Sequence, residues 1–263
     1  MKSQGLRKYG SPPFRLAVIH GGPGAPGEMK PVAEELSSGV GVLEPFQTEL
    51  SIEDQVDELK DTLEKAGDIP VTLIGYSWGA WLSIIFSAIY PALVEKIVLV
   101  GSPPFREKYA DQIVDARLKR LGETEGEELR SLTGRLDKSG EVGEEYLTRL
   151  GELAKKADSY DPISTGDELE DIEVQPEVYR RIWTEAREVR RSGELLELAQ
   201  LVKSPVVAIH GDHDPHPAEG VREPLSQNVN DFRFILLEEC GHTPWIESNA
   251  RDKFYVILKS LIP

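Results

Sequence analysis

One stretch of this 263-residue chain limits its fold more than any other. An apolar run, Val71-Thr72-Leu73-Ile74, meets the turn Gly75-Tyr76-Ser77-Trp78-Gly79, and an almost wholly apolar run, Ala80 to Ile89, follows at once. The first run has the length of a buried strand and the last that of a buried helix, so the segment reads as strand, tight turn, helix. A reversal this tight holds its central residue in strained backbone geometry. It also needs small residues two before and two after, where strand and helix nearly touch. A serine at the centre projects its hydroxyl clear of the sheet at a helix N-terminus, where the helix dipole favours developing negative charge. In that context the G-x-S-x-G pattern marks Ser77 as a candidate nucleophile.

The rest of the chain supplies strands and helices to surround this turn. Apolar runs at Arg15–His20, Val40–Phe46, Val71–Ile74, Lys96–Val100, Pro205–His210 and Phe232–Leu237 read as six strands. Ser51 offers an N-cap with Asp54 three residues on, and Ile52, Val56, Leu59 and Leu63 then recur at helical spacing to Lys65. Asn249–Leu261 reads as a closing amphipathic helix, and Leu195, Leu196, Leu198 and Leu201 as part of a core helix before the fifth strand. Apolar strands alternating with helices imply an α/β protein, a mostly parallel, doubly wound sheet with helices on both faces. Residues 103–190 break that rhythm. They hold no convincing strand, are dense in charge, and read as helices at Arg106–Leu121, Glu141–Ala157 and Glu177–Arg191. The expected organisation is a core of residues 1–102 and 191–263, with 103–190 as an inserted helical cap over the carboxyl ends of the strands.

Charge narrows the partners. With 46 acidic residues against 30 basic and a net charge of −16, neither nucleic acid nor an anionic membrane is an expected partner. The start, MKSQGLRKYG, has no apolar core of a signal peptide. The most apolar stretch, Trp78 to Val94, is too short and too interrupted to span a bilayer. Cys240 is the only cysteine, so no intrachain disulfide forms, and a cytoplasmic setting is expected.

A serine nucleophile needs a base and a group to orient that base. His242 follows the last strand, in Cys240-Gly241-His242-Thr243-Pro244-Trp245, and loops at strand carboxyl ends share one crevice. Gly211-Asp212-His213-Asp214-Pro215 follows the fifth strand and offers two acids. An oxyanion hole needs two backbone donors. The N–H of Trp78 is one candidate, and the loop His20-Gly21-Gly22-Pro23-Gly24 supplies the other, from Gly21 or Gly22, since Pro23 has no N–H. That loop lacks both the Lys-Ser/Thr of a P-loop and dinucleotide-loop spacing. His210, Asp212, His213, Asp214 and His216 are residue types that bind zinc, but no second ligand cluster accompanies them, so neither metal nor cofactor is expected.

Together these motifs resemble the α/β-hydrolase superfamily over nearly the whole chain. The resemblance implies the α/β-hydrolase fold and the chain order Ser77, Asp214, His242. It favours Asp214, last in a G-x-x-D turn, over Asp212, whose alternative role is an Asx turn. It also favours Gly22 over Gly21 as oxyanion donor beside Trp78. HGGPG with Ser-Trp-Gly is similar to the proline iminopeptidase group, whose members use acidic cap residues to bind a free α-amine. Here Asp161 to Glu177 carries seven acidic residues and no Lys or Arg, which as a solvated loop would need no function. Two features depart from that group. A tyrosine precedes Ser77 where a second glycine is common, and only about fourteen residues precede the first parallel strand, room for one of two customary leading strands, around Ser3–Lys8. Epoxide hydrolases and haloalkane dehalogenases need an aspartate nucleophile, which Ser77 is not. The implied activity is hydrolysis of a small ester, amide or short peptide through an acyl-enzyme, carboxylesterase-like or aminopeptidase-like, with proline iminopeptidase as a narrower alternative. A non-catalytic ligand-binding protein of the same fold is the alternative of another class. Phe105, Tyr179 and Trp183 are candidates for pocket lining or for cap core.

Overall fold

The apolar runs become the five inner strands and one edge strand of a seven-stranded sheet in a computed structural model that describes residues 5–136, 143–163 and 174–262. The strands are β1 (Leu6–Tyr9), β2 (Leu16–Ile19), β3 (Val42–Pro45), β4 (Val71–Tyr76), β5 (Val94–Val100), β6 (Val206–Gly211) and β7 (Phe232–Leu237), in the order β1-β3-β2-β4-β5-β6-β7. All pairs are parallel except β1 on β3, which is antiparallel. Thus one leading strand precedes β2 among the described residues; residues 3–4 of the expected span lie outside them. The chain order places β4, which carries the elbow, in the middle of the sheet.

Strand alternation builds two cores. In β5, Ile97 and Leu99 face one cluster while Val98 and Val100 face the other. The first face is covered by α2 (Ile52–Ala66), α3 (Trp78–Ile89), α8 (Glu194–Leu201) and α9 (Glu219–Asn228), which contribute Leu59, Phe86, Leu195 and Leu225. The second is covered by α1 (Lys30–Leu36) and α10 (Arg251–Leu261), through Val32, Leu36, Phe254 and Leu258. Each fully buried side chain of this size stabilises the fold by about 1.5–3 kcal/mol. Ser51 caps α2 as its spacing requires, accepting the Asp54 N–H at 3.1 Å.

Among the described residues, four helices precede α8 between β5 and β6: α4 (Glu107–Arg120), α5 (Glu123–Leu136), α6 (Glu144–Asp158) and α7 (Pro176–Ser192). Leu121, Leu129, Leu147, Leu150 and Leu153 form a cluster of their own, whereas Val178, Ile182 and Ala186 of α7 pack into the first core. Phe105 is buried in that core, and half-buried Trp183 stacks on Trp81 at 6.2 Å. Tyr179 packs against the leucine cluster. Residues 164–173 of the acidic stretch lie outside the described residues. Helices α1, α5 and α9 stand where the hydrophobic pattern gives none. The first is one short element and the last carries an internal Pro224. Among the described residues no helix is long and apolar enough to cross a membrane.

Candidate active site

Ser77 caps α3 with φ 50° and ψ −116°, a left-handed conformation rare for a residue with a side chain. The flanking glycines make the turn feasible. A Cβ on Gly75 would run into the carbonyl oxygen of Gly79, and one on Gly79 into that of Ile19 at the end of β2. The Ser77 N–H donates to the Val100 carbonyl at 3.0 Å, tying the elbow to the end of β5. Trp78 opens α3, so its N–H has no intrahelical acceptor and sits at the positive end of the dipole. Its indole is buried and donates to Gln55 Oε1 at 3.2 Å.

Loops after β6 and β7 bring an acid and a base together. His242 Nδ1 lies 2.7 Å from Asp214 Oδ2, and the Asp214 carboxylate is wholly buried. The ring of Tyr76, the residue before the serine, is 5.0 Å from the His242 ring. The His242 N–H donates to the Asp158 carbonyl at 2.8 Å. Burial works against the His242 imidazolium, but the adjacent Asp214 charge and hydrogen bond outweigh it and hold the pKa above 6.5. Burial likewise opposes the Asp214 carboxylate, yet His242, His216 and His210 hold its pKa well below the usual range. Asp212 takes a different part. It accepts the Cys240 N–H at 3.2 Å, bracing the two loops, while the Asx turn expected of it is made by Asp214, which accepts the His216 N–H at 2.9 Å.

Of the clustered zinc-type residues, His210 and His216 stay beside Asp214, at 3.5 and 2.7 Å, while Asp212 and His213 point elsewhere. His210 Nε2 lies 2.7 Å from the His216 carbonyl, His213 packs edge-on against Tyr160, and Asp212 is spent on Cys240. Asp214, His216 and His242 each bring one ligand atom within 4.8 Å of the others, but both Nδ1 atoms are directed at the Asp214 carboxylate.

In the loop after β2, Gly21 is buried against the nucleophile: a Cβ there would be 3.0 Å from Ser77 Cβ. Its N–H donates to Glu28 Oε2 at 3.1 Å, whereas Gly22, with φ 102°, is exposed. The structure thus adds a carboxyl group beside the serine that no motif marked. Burial raises the Glu28 pKa to about 7, against the opposing pull of His242, the Gly21 N–H and Lys155. A raised folded-state pKa gives stability that is present in full below about 4.5 and lost as pH rises through 7. Glu28→Gln should therefore melt above the wild type at pH 8 and level with it at pH 4. A thermal melt at each pH checks this, and a difference of the same size at both would count against a charge penalty at half-buried Glu28.

Glu247 is a second residue without a sequence signal. It is buried and accepts the N–H groups of Tyr160, Asp161 and Gly241 at 2.9, 2.8 and 3.0 Å. Arg117 holds the side chain of Asp158 with two bonds, of 2.8 and 2.6 Å. The helical segment between β5 and β6 is thereby fastened to the His242 loop.

Residues 16–255 match the model of the alpha/beta hydrolase family. The chain belongs to that family. The match runs from β2 into α10 and contains every residue of the site. Among solved structures, VinJ superposes with a TM-score of 0.73 at 19% identity, over 97% of this chain and 93% of that one. A proline iminopeptidase from Mycobacterium smegmatis gives 0.65 at 18%, over 97% and 93%. Both likenesses concern the fold. In sequence, 49 residues are 41% identical to epoxide hydrolase 3 of Mus musculus, 19% of this chain and only 13% of that protein's length.

Proposed function

We propose that this α/β hydrolase is a serine hydrolase that cleaves an ester or amide of a small substrate, or a short peptide, through an acyl-enzyme on Ser77. The observation that carries this reading is the 2.7 Å contact of His242 Nδ1 with buried Asp214, on the two loops that flank an elbow serine held at φ 50°. His242 takes the Ser77 proton as the oxygen attacks the carbonyl. The N–H groups of Trp78 and Gly22 receive the oxyanion, since that of Gly21 is engaged by Glu28. His242 then protonates the leaving group, and water, activated by the same imidazole, releases the acid. Asp214 fixes the imidazole tautomer and stabilises its cation. Epoxide opening by an aspartate nucleophile is not proposed, because the elbow carries Ser77.

Residues 103–190 act in this reading as a cap over the site, and residues 1–102 and 191–263 as the core. HGGPG and Ser-Trp-Gly support an aminopeptidase-like activity, proline iminopeptidase being the narrowest form, beside a carboxylesterase-like one. The charge of −16 and the single buried cysteine support a cytoplasmic enzyme of small molecules, without nucleic acid or membrane as partner. No metal or cofactor enters the proposed mechanism. A fluorophosphonate probe should label Ser77, mapped by peptide mass spectrometry. Absence of label, with tight binding of an unaltered ligand, would replace the enzyme with a binding protein. A parallel screen of short acyl esters against aminoacyl amides, a proline amide included, then separates esterase from aminopeptidase.

A further inference from the structure

Asp214 has three imidazoles around it, His210 Nε2 at 3.5 Å from Oδ2 and two that lie closer, and the mechanism above uses one. Its Oδ2 faces His242 Nδ1 at 2.7 Å; its Oδ1 faces His216 Nδ1, also at 2.7 Å, and accepts the His216 backbone N–H at 2.9 Å. The two rings lie 4.5 Å apart and inclined by 32°. His216 is itself buried, and its backbone carbonyl meets His210 Nε2 at 2.7 Å, which fixes the main chain that carries the second imidazole. A carboxylate only accepts, so each Nδ1 carries a proton and donates it. Burial keeps His216 neutral, with a pKa near 4 despite the Asp214 charge. Hence it contributes a directed N–H rather than a second positive charge.

We propose that His216 is a positioning residue of the catalytic centre: it holds one oxygen of Asp214 so that the other is presented to His242, and it shares the carboxylate's charge. The inference rests on the Ser77–His242–Asp214 reading. Without the imidazole, Oδ1 keeps only the backbone N–H of residue 216, and a carboxylate held by one donor in place of two turns more freely about its χ2 bond, loosening the orienter of His242. Sharing has a definite sign. A carboxylate that gives part of its charge to a second donor pulls less on the His242 proton, so the neutral base persists to lower pH.

Other groups face His242 as well: Asp158 from the end of α6, Arg117 from α4, Glu28 from the loop after β2, and Tyr76 at the end of β4. None of them is altered in the test. His216→Leu removes the Nδ1 donor. His216→Asn keeps an N–H the same number of bonds from Cβ. With a p-nitrophenyl acyl ester, His216→Leu should lower kcat roughly ten- to hundredfold, the equivalent of one hydrogen bond to a charged group, with KM little changed. The acid limb of its kcat/KM profile should move to higher pH. His216→Asn should restore most of both effects, and thermal melts of the variants record folding. A Leu variant with unmoved limb and kcat, or an Asn variant as impaired as Leu, would overturn the inference. Titration of the His242 ring by NMR in wild type and His216→Leu reads the same shift without turnover. If the wild type hydrolyses nothing, the serine-hydrolase reading fails, while an unshifted His242 titration fails the role of His216.

Discussion

Replacing Ser77 with alanine should cut kcat on an activated acyl ester by roughly 10⁴- to 10⁶-fold while leaving the fold in place. Every bond change in the proposed mechanism passes through the Ser77 oxygen, so His242 and Asp214 have nothing to activate without it. What survives is the contribution of the Trp78 and Gly22 donors and of substrate binding. Stability should barely respond, because the Ser77 side chain makes no capping bond to α3 and alanine retains the Cβ that strains this turn. Glycine gives the contrasting result. At φ 50° it removes that strain, so Ser77→Gly should be as inactive as Ser77→Ala but more stable, by about 1 kcal/mol. Single-turnover kinetics with urea unfolding measures both quantities. Activity surviving in Ser77→Ala would refute the nucleophile.

The strands were legible because each is a short apolar run bounded by glycine, proline or charge. Phe232–Leu237 stands in the structure with the ends its composition marks, and β2, β4, β5 and β6 differ only at their termini. The elbow and its two partner loops were legible for a related reason, since they follow strands and the sheet gathers strand ends. Helices α5 and α9 were hidden by weak apolar patterning, and α9 also by Pro224. Choosing between Asp212 and Asp214 needed a resemblance, because side-chain direction within a tight turn is not written in its composition. His216 did have a local signal, an aspartate two residues before it able to accept its N–H, masked by its membership of a zinc-like cluster. Glu28 and Glu247 had none. Their partners are backbone N–H groups, which every residue but proline carries, so pairing at such distances leaves no pattern in the chain.

Glu247 should show the largest effect on stability for that same reason. Its carboxylate gathers three N–H groups from two segments, Tyr160 and Asp161 beyond α6 and Gly241 beside the catalytic histidine. Further bonds continue the seam, with Ile163 N–H on Ile246 O at 2.8 Å and Ser248 N–H on Asp161 O at 2.9 Å. Removing the carboxylate leaves one buried donor, Gly241, and two part-buried ones, Tyr160 and Asp161, without their acceptor. Each unsatisfied donor costs about 1–3 kcal/mol, less whatever a water entering the space returns. Glu247→Ala should therefore lose roughly 2–4 kcal/mol in urea unfolding, most of it at Gly241, since water reaches the part-buried Tyr160 and Asp161 donors. Glu247→Gln separates charge from connectivity. Its oxygen, placed at Oε1, still accepts from Tyr160 and Gly241, but its amide opposes the Asp161 N–H, so about 1–2 kcal/mol should be lost. Turnover should follow the same order, because Gly241 fixes the backbone that carries His242 against Asp214. Equal losses in the two variants would mean that the acceptor geometry at Glu247 is not what joins the helical segment to the catalytic loop.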